Sequence, residues 1–277
     1  MDSLKAVADW PVDNAVAAVI TADGHVRGSH GPMRRSFPLA SVTKLLVAYA
    51  TLIAVEEGAI ELDGPAGPPG ATVRHLLAHT SGLAFDDRSV VAAPGTRRIY
   101  SSAGFEVLAE AVREASGIPF PDYLAGAVFE PLGMTESELT GPAGSGVVST
   151  CADLTRFAAE VQSPTLLAPG TLAEATTVAF PGLGGVLPGF GNLRPNDWGL
   201  GFELRSAKDP HWTGRRSSPR TFGHFGRSGT FLWVDPDAGA ACVVLTDREF
   251  GPWAQQAWPA FTDGVLAELA ENPADRR

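Results

Sequence analysis

The strand-like segments of this 277-residue chain lie at its two ends, and that placement constrains the fold more than any other feature. Near the N-terminus, residues 14 to 30 read as a hairpin: the run AVAAVI leads into Asp23-Gly24, a turn signal, and then HVRGS. In the last quarter TFGHF, TFLWVDP and AACVVLTDR read as successive strands, with a Pro-Asp-Ala-Gly turn between the last two. The middle has helical character. Ser41 to Glu57 is apolar nearly all round, which predicts a buried helix ended by Gly58. VRHLLAH (73–79) predicts a short helix. Over 102–116, Phe105, Leu108, Ala109 and Val112 share one face while Glu106, Glu110 and Arg113 lie away from it, and Gly117 and Pro119 stop the pattern. Thr150-Cys151-Ala152-Asp153 resembles a capping box that opens another helix, and 253–271 reads as a closing one. The economical solution is a mixed α+β fold: one antiparallel sheet built from both chain ends, flanked by helices, with a mostly helical lobe inserted. We expect a single domain over 1–277, with a sheet lobe of 1–37 plus 218–277 and a helical lobe of 38–217. The Gly/Pro-rich stretch 181–201 shows no clear element and is a candidate binding loop or lid.

Composition narrows the classes of function. Apolar residues make up 44% and charged residues 19%, the balance of a globular protein with a large core. The net charge of −10, with no basic stripe, argues against nucleic acid or an anionic membrane as partner. The longest apolar stretch, Leu45 to Val55, is shorter than the ~20 residues of a membrane span. The first residues show no basic segment followed by an apolar one, so the expectation is a cytoplasmic protein. Cys151 and Cys242 are the only cysteines and suggest buried free thiols rather than a disulfide framework or a zinc site.

Ser41-Val42-Thr43-Lys44 has the S-x-x-K spacing, which places the two side chains on one helix face, ~5–6 Å apart at Cβ. A serine hydroxyl becomes a competent nucleophile when a base takes its proton. A lysine serves as that base only when neutral, and apolar neighbours such as Leu45 and Leu46 lower its pKa. The helix N-terminus adds free amides for a developing oxyanion. The alternative is a capping serine and a snorkelling lysine. Lysine is scarce, however: Lys5, Lys44 and Lys208 are the only ones, so one inside an apolar segment is hard to read as surface decoration. Two further segments carry chemistry. Tyr100-Ser101-Ser102 precedes the amphipathic helix, and a phenol near an ammonium is expected to have a lowered pKa and to shuttle protons; the alternative is a core tyrosine with a capping serine. His224-Phe225-Gly226 lies in a strand whose glycine lets a substrate backbone approach and whose amides can complete an oxyanion hole; the alternative is an ordinary turn.

The order S-x-x-K, Tyr-x-x, then His-x-Gly on a late strand resembles the serine β-lactamase and penicillin-binding-protein superfamily. The similarity is to its class C β-lactamase-like branch, which includes DD-peptidases and esterases. The stretches LLAHTSGL (76–83), PGTRRIYSS (94–102), FEPLGM (129–134), GSGVVSTCADLTRFA (144–158), WGLGFEL (198–204) and FGHFGRSGTFLWVDP (222–236) are similar to the same group. The resemblance implies the mixed fold above, acylation of Ser41, and proton transfer by Lys44 and Tyr100. It implies an oxyanion hole from the amides of Ser41 and Arg227, and help from His224 in binding a carboxylate or carbonyl of the substrate. Two positions depart from the pattern. Ser102 stands where the family usually has Asn, which puts amide and lactam turnover in doubt while leaving ester cleavage possible. His224-Phe225-Gly226 replaces Lys-Thr-Gly, which argues against an efficient β-lactamase.

The expected function is therefore hydrolysis of a small-molecule ester or amide through an acyl-enzyme on Ser41. A DD-peptidase or weak β-lactamase is the second reading, and a non-catalytic binding protein of the same fold the third. No cofactor or metal is expected. His75 and His79 are spaced i, i+4, but the intervening glutamate of H-E-x-x-H is missing; His79 is expected to order the Thr80-Ser81-Gly82 turn. No G-x-S-x-G elbow and no phosphate-loop pattern occurs. Pocket walls are expected from 181–201 and from 205–221, whose basic run with Trp212 suggests an anionic or aromatic acyl group.

Overall fold

The computed structural model describes residues 1–271. Its elements run β1 (Ala15–Thr21), β2 (Val26–His30), β3 (Ser36–Pro38), α1 (Thr43–Glu56), α2 (Val73–Leu77), α3 (Ala103–Ser116), α4 (Phe120–Leu124), β4 (Glu138–Leu139), β5 (Val147–Thr150), α5 (Cys151–Glu160) and α6 (Pro169–Ala175). They continue with β6 (Gly185–Leu187), β7 (Gly191–Leu193), β8 (Glu203–Leu204), β9 (Phe222–Gly226), β10 (Thr230–Asp235), β11 (Ala240–Thr246) and α7 (Pro252–Glu271). The main sheet has six strands in the order β2-β1-β11-β10-β9-β8, paired antiparallel throughout. β1 pairs in full with β11, from Ala15 opposite Thr246 to Thr21 opposite Ala240, so the two chain ends meet at the middle of the sheet. This is the mixed fold expected from the sequence. One edge strand, β8, comes from residues 203–204, well before the C-terminal strands.

Both faces of the sheet are covered, which explains why β11 reads as an unbroken apolar run. Ala241, Val243 and Leu245 face the core formed with α1, α3 and α5. Ala240, Cys242 and Val244 face the opposite core, built with Trp258, Phe261 and Val265 of α7. Helix α1 is buried from Thr43 to Ala54, as its all-round apolar sequence requires. Thr150 caps α5 by accepting from the Asp153 amide at 3.2 Å. The Asp153 carboxylate does not close the reciprocal box; it accepts from the Glu136 amide and the Ser137 hydroxyl instead.

Two sequence expectations need correction. Ser41 is not inside α1. It lies in a tighter single turn, Ala40–Val42, and the α-helix begins at Thr43. The cause is upstream: Ala40 adopts φ +46°, a left-handed conformation costly for an L residue, and the preceding carbonyls are pinned. Ser228 Oγ donates to the Pro38 carbonyl at 2.6 Å, and Thr230 Oγ1 to the Leu39 carbonyl at 2.8 Å. The stretch 181–201 is also not without structure, since it contains the β6–β7 hairpin. Both cysteines are buried and free. Among the described residues no helix is long and apolar enough to cross a membrane.

Candidate active site

Four separate segments converge on the first turn of α1. Lys44 is fully buried, and its Nζ lies 3.4 Å from Ser41 Oγ, 3.1 Å from Ser102 Oγ and 2.7 Å from the Gly144 carbonyl. It also stands 4.8 Å from the centre of the Tyr100 ring. Burial drops the Lys44 ammonium to about 7, partly opposed by the charge of Glu106. An ammonium has three N–H donors for these three oxygens, whereas a neutral amine has two and a lone pair. The Gly144 carbonyl only accepts, so it must keep one N–H. A hydroxyl can donate or accept, which leaves Ser41 able to give its proton to the lone pair.

Gly144 was not foreseen from the sequence. Its carbonyl is aimed by Glu106, whose carboxylate accepts from the Ala143 and Gly144 amides at 3.1 and 2.8 Å. Glu106 thus braces the turn opposite the lysine rather than simply facing solvent. Only its position in the first turn of α3 hinted at such a role. A Cβ on Gly144 would lie 3.0–3.2 Å from the Ser102 backbone and Cβ, so a side chain there would crowd Ser102.

Tyr100 and His224 form the other wall. His224 Nδ1 is 2.7 Å from its neighbouring Phe225 carbonyl, which only accepts, so Nδ1 carries the proton. Burial, reinforced by the charge of Lys44, pushes the imidazole down to about 3. The neutral ring therefore presents Nε2 as an acceptor, 3.4 Å from the Tyr100 hydroxyl. The expected lowering of the Tyr100 pKa is not found. Burial raises it, and the neighbouring Ser41 hydroxyl offsets that only in part. The phenol stays protonated because desolvation of a phenolate outweighs the hydrogen bond it would gain from Ser41.

Gly226 ends β9 where the strand meets the serine turn. A Cβ there would stand 2.3 Å from the Leu39 carbonyl and 2.5 Å from Thr230 Oγ1, so only glycine permits this approach. β8 pairs with Phe222 and Gly223 only, which leaves the His224–Gly226 edge open toward Ser41. Ser41, Tyr100, His224 and Arg227 all line one cavity of about 300 Å³. The structure thus brings together Ser41, Lys44, Tyr100, His224 and Arg227, with Ser102 joined through its contact with Lys44 and Gly226 through the serine turn.

Two other expectations change. His79 does more than shape its own turn: its Nδ1 accepts from the Ser101 amide at 3.1 Å and its ring lies 4.7 Å from that of Tyr100, so it holds the tyrosine segment. His75 turns to Thr72 and Phe180 instead. Residues 205–221 do not wall the Ser41 cavity. Lys208, His211 and Trp212 are buried on the Glu203 carboxylate, so the buried cations of this run are taken up in an internal cluster, while Arg215, Arg216 and Arg220 stay exposed on the surface. Burial alone would push the Glu203 carboxyl up, but His211 and Lys208 hold it at about 2.

Residues 12–267 match a family model described as Beta-lactamase. A solved beta-lactamase (Mb2281c) from Mycobacterium bovis is 58% identical, with a TM-score of 0.95 over 96% of this chain and 99% of that one. Esterase EstB from Burkholderia gladioli is 24% identical over 335 residues, covering 85% of this chain and 84% of the esterase. D-alanyl-D-alanine-carboxypeptidase/endopeptidase AmpH from Escherichia coli (strain K12) is 27% identical over 139 residues, 37% of this chain and only 36% of AmpH.

Proposed function

The chain belongs to the beta-lactamase family of serine hydrolases, and from that premise we propose that it cleaves a small ester or amide through an acyl-enzyme on Ser41, with esters favoured. The observation that carries this reading is the buried Lys44 amine, 3.4 Å from Ser41 Oγ and lowered to about 7. Neutral Lys44 takes the Ser41 proton as Oγ bonds to the substrate carbonyl carbon. The amides of Ser41 and Arg227 receive the oxyanion. Collapse breaks the bond to the leaving group, which takes a proton from Tyr100; the phenol is refilled from Lys44. Water then adds to the acyl carbon, its proton passing to neutral Lys44, and Lys44 returns a proton to Ser41 Oγ as the acyl–oxygen bond breaks and the acid is freed. His224 accepts from Tyr100 and fixes its orientation.

Ser102 supports the ester preference. Its single hydroxyl meets Lys44 at 3.1 Å, and it lacks the two-ended amide with which Asn could also hold a substrate amide. The similarity to a beta-lactamase at 58% identity favours a second reading, lactam hydrolysis. Treatment with a fluorophosphonate and with a penicillin, followed by mass analysis of the Ser41 peptide, tests both. Labelling by the phosphonate alone supports an esterase, and labelling by both supports the penicillin-recognising reading. Folded protein labelled by neither would be a non-catalytic relative.

A further inference from the structure

The cavity that Ser41 opens into is apolar almost throughout. Phe85, Leu187, Pro188, Trp198, Phe225 and Phe250 supply most of its wall. Its charged groups are badly placed for an anionic substrate. The Glu203 carboxylate is 1% exposed and already holds Lys208, His211 and Trp212, so it presents no cation to the cavity. The Arg227 side chain is 81% exposed and faces Glu249 at 3.5 Å, directed to solvent rather than inward. His224 keeps its one ring proton on the Phe225 carbonyl and turns an acceptor nitrogen toward Tyr100. Lys44 is enclosed by three oxygens beside the nucleophile. A carboxylate seated deep in this cavity would lose its hydration, and Arg227 could meet it only at the rim, which is unfavourable.

A second cavity of about 470 Å³ lies alongside, sharing Phe85, Tyr100 and Pro188 as a partition. It contains Arg97, Arg98 and Asn192 but not Ser41. The acyl group must stay bonded to Ser41 while the leaving group departs, so the cavity that includes Ser41 is the one suited to the acyl chain.

We propose that this chain selects an uncharged, apolar acyl chain of moderate length, seated in the Ser41 cavity against Phe85, Leu187, Pro188 and Phe225, and discriminates against acyl groups that carry a carboxylate. The proposal rests on the acyl-enzyme reading above and adds the substrate class to it.

The test uses p-nitrophenyl esters, so that the leaving group is constant. From acetate through butyrate and pentanoate to hexanoate, kcat/KM is expected to rise about fourfold per added methylene, the burial gain of one CH2 expressed as a rate. The p-nitrophenyl monoester of glutaric acid matches the pentanoate in length but ends in a carboxylate; it is expected to react at least about tenfold more slowly. Phe85 is 53% exposed at the mouth, so Phe85→Arg is compatible with folding and should move the glutarate-to-pentanoate ratio upward. Equal rates for the two esters, a flat chain-length series with acetate still hydrolysed, or an unchanged ratio in F85R would overturn the proposal while leaving acylation of Ser41 intact. Failure to hydrolyse any ester, with no phosphonate on Ser41, would overturn both.

Discussion

The carbonyl of Gly144 holds the Lys44 amine at 2.7 Å, closer than the 3.4 Å between that amine and Ser41 Oγ. The lysine is therefore anchored by a group that cannot take part in proton transfer, and its approach to the serine follows from that anchor. Glu106 aims the carbonyl, and Ser102 supplies the third contact. The following outcomes are expected from this arrangement.

Lys44→Ala should give a folded protein with ester turnover reduced about 10²–10⁴-fold, the usual worth of a positioned base. Removing a buried amine leaves no buried charge behind, so the thermal midpoint should not fall steeply. Circular dichroism and a chromogenic ester assay check both parts. Near-normal turnover would show that another group is the base.

Activity should rise with pH through about 7, because Lys44 acts only after losing its proton and burial places that loss at about 7. Stability should rise in the same direction. The unfolded lysine keeps its proton up to its ordinary pKa of 10.5, so between about 7 and 10.5 the unfolded state binds more protons. Below that window both states are charged and the full penalty of the buried ammonium remains. A pH–rate profile and denaturant melts of wild type against K44A measure the two effects; a stability difference independent of pH would contradict the lowered pKa.

Glu106→Gln removes the charge that raises the Lys44 pKa, so the acid limb of the rate profile should move to lower pH. One amide oxygen remains to hold the Ala143–Gly144 turn, so the fold should persist. A limb that stays in place, with turnover reduced, would mean that Glu106 acts only through the turn.

Gly226→Ala should cost about 1–3 kcal/mol of stability, since its Cβ would press on the Leu39 carbonyl at 2.3 Å. The serine turn is attached to that carbonyl, so kcat should fall about 10²-fold through displacement of Ser41. Thermal melts and ester kinetics report both. Full activity in the variant would show that the turn does not depend on this contact.

Ser102→Asn should raise the ratio of amide or lactam turnover to ester turnover, because a longer two-ended amide can meet both Lys44 and a substrate amide. Parallel assays on a chromogenic cephalosporin and an ester measure the ratio. An unchanged ratio would mean that the neutral His224, in place of a lysine, limits lactam turnover.

Much of this was legible in the chain itself. The alternation and turn signals at 14–30 and 221–248 are local properties of strands, and they specified a sheet built from both ends. Lys44 stood out because a lysine inside an all-apolar helix has to be buried, and burial alone lowers its pKa. Sequence spacing also joined Ser41 to Lys44, since helical geometry makes neighbours of residues three apart. Only the tertiary structure decided what surrounds the pair. Gly144 is a hundred residues from Lys44 and contributes a backbone carbonyl, a group every residue possesses, so no residue type could announce it. The direction of the Tyr100 shift is not carried by its sequence neighbours, because it depends on how completely water is excluded, which is settled by packing against distant rings. The basic run 205–220 looked like a surface for anions until Glu203, across a turn, took up Lys208 and His211. Helices and strands follow from contacts near in sequence, whereas the charge state and polarity of a site follow from groups that meet only when the chain has folded.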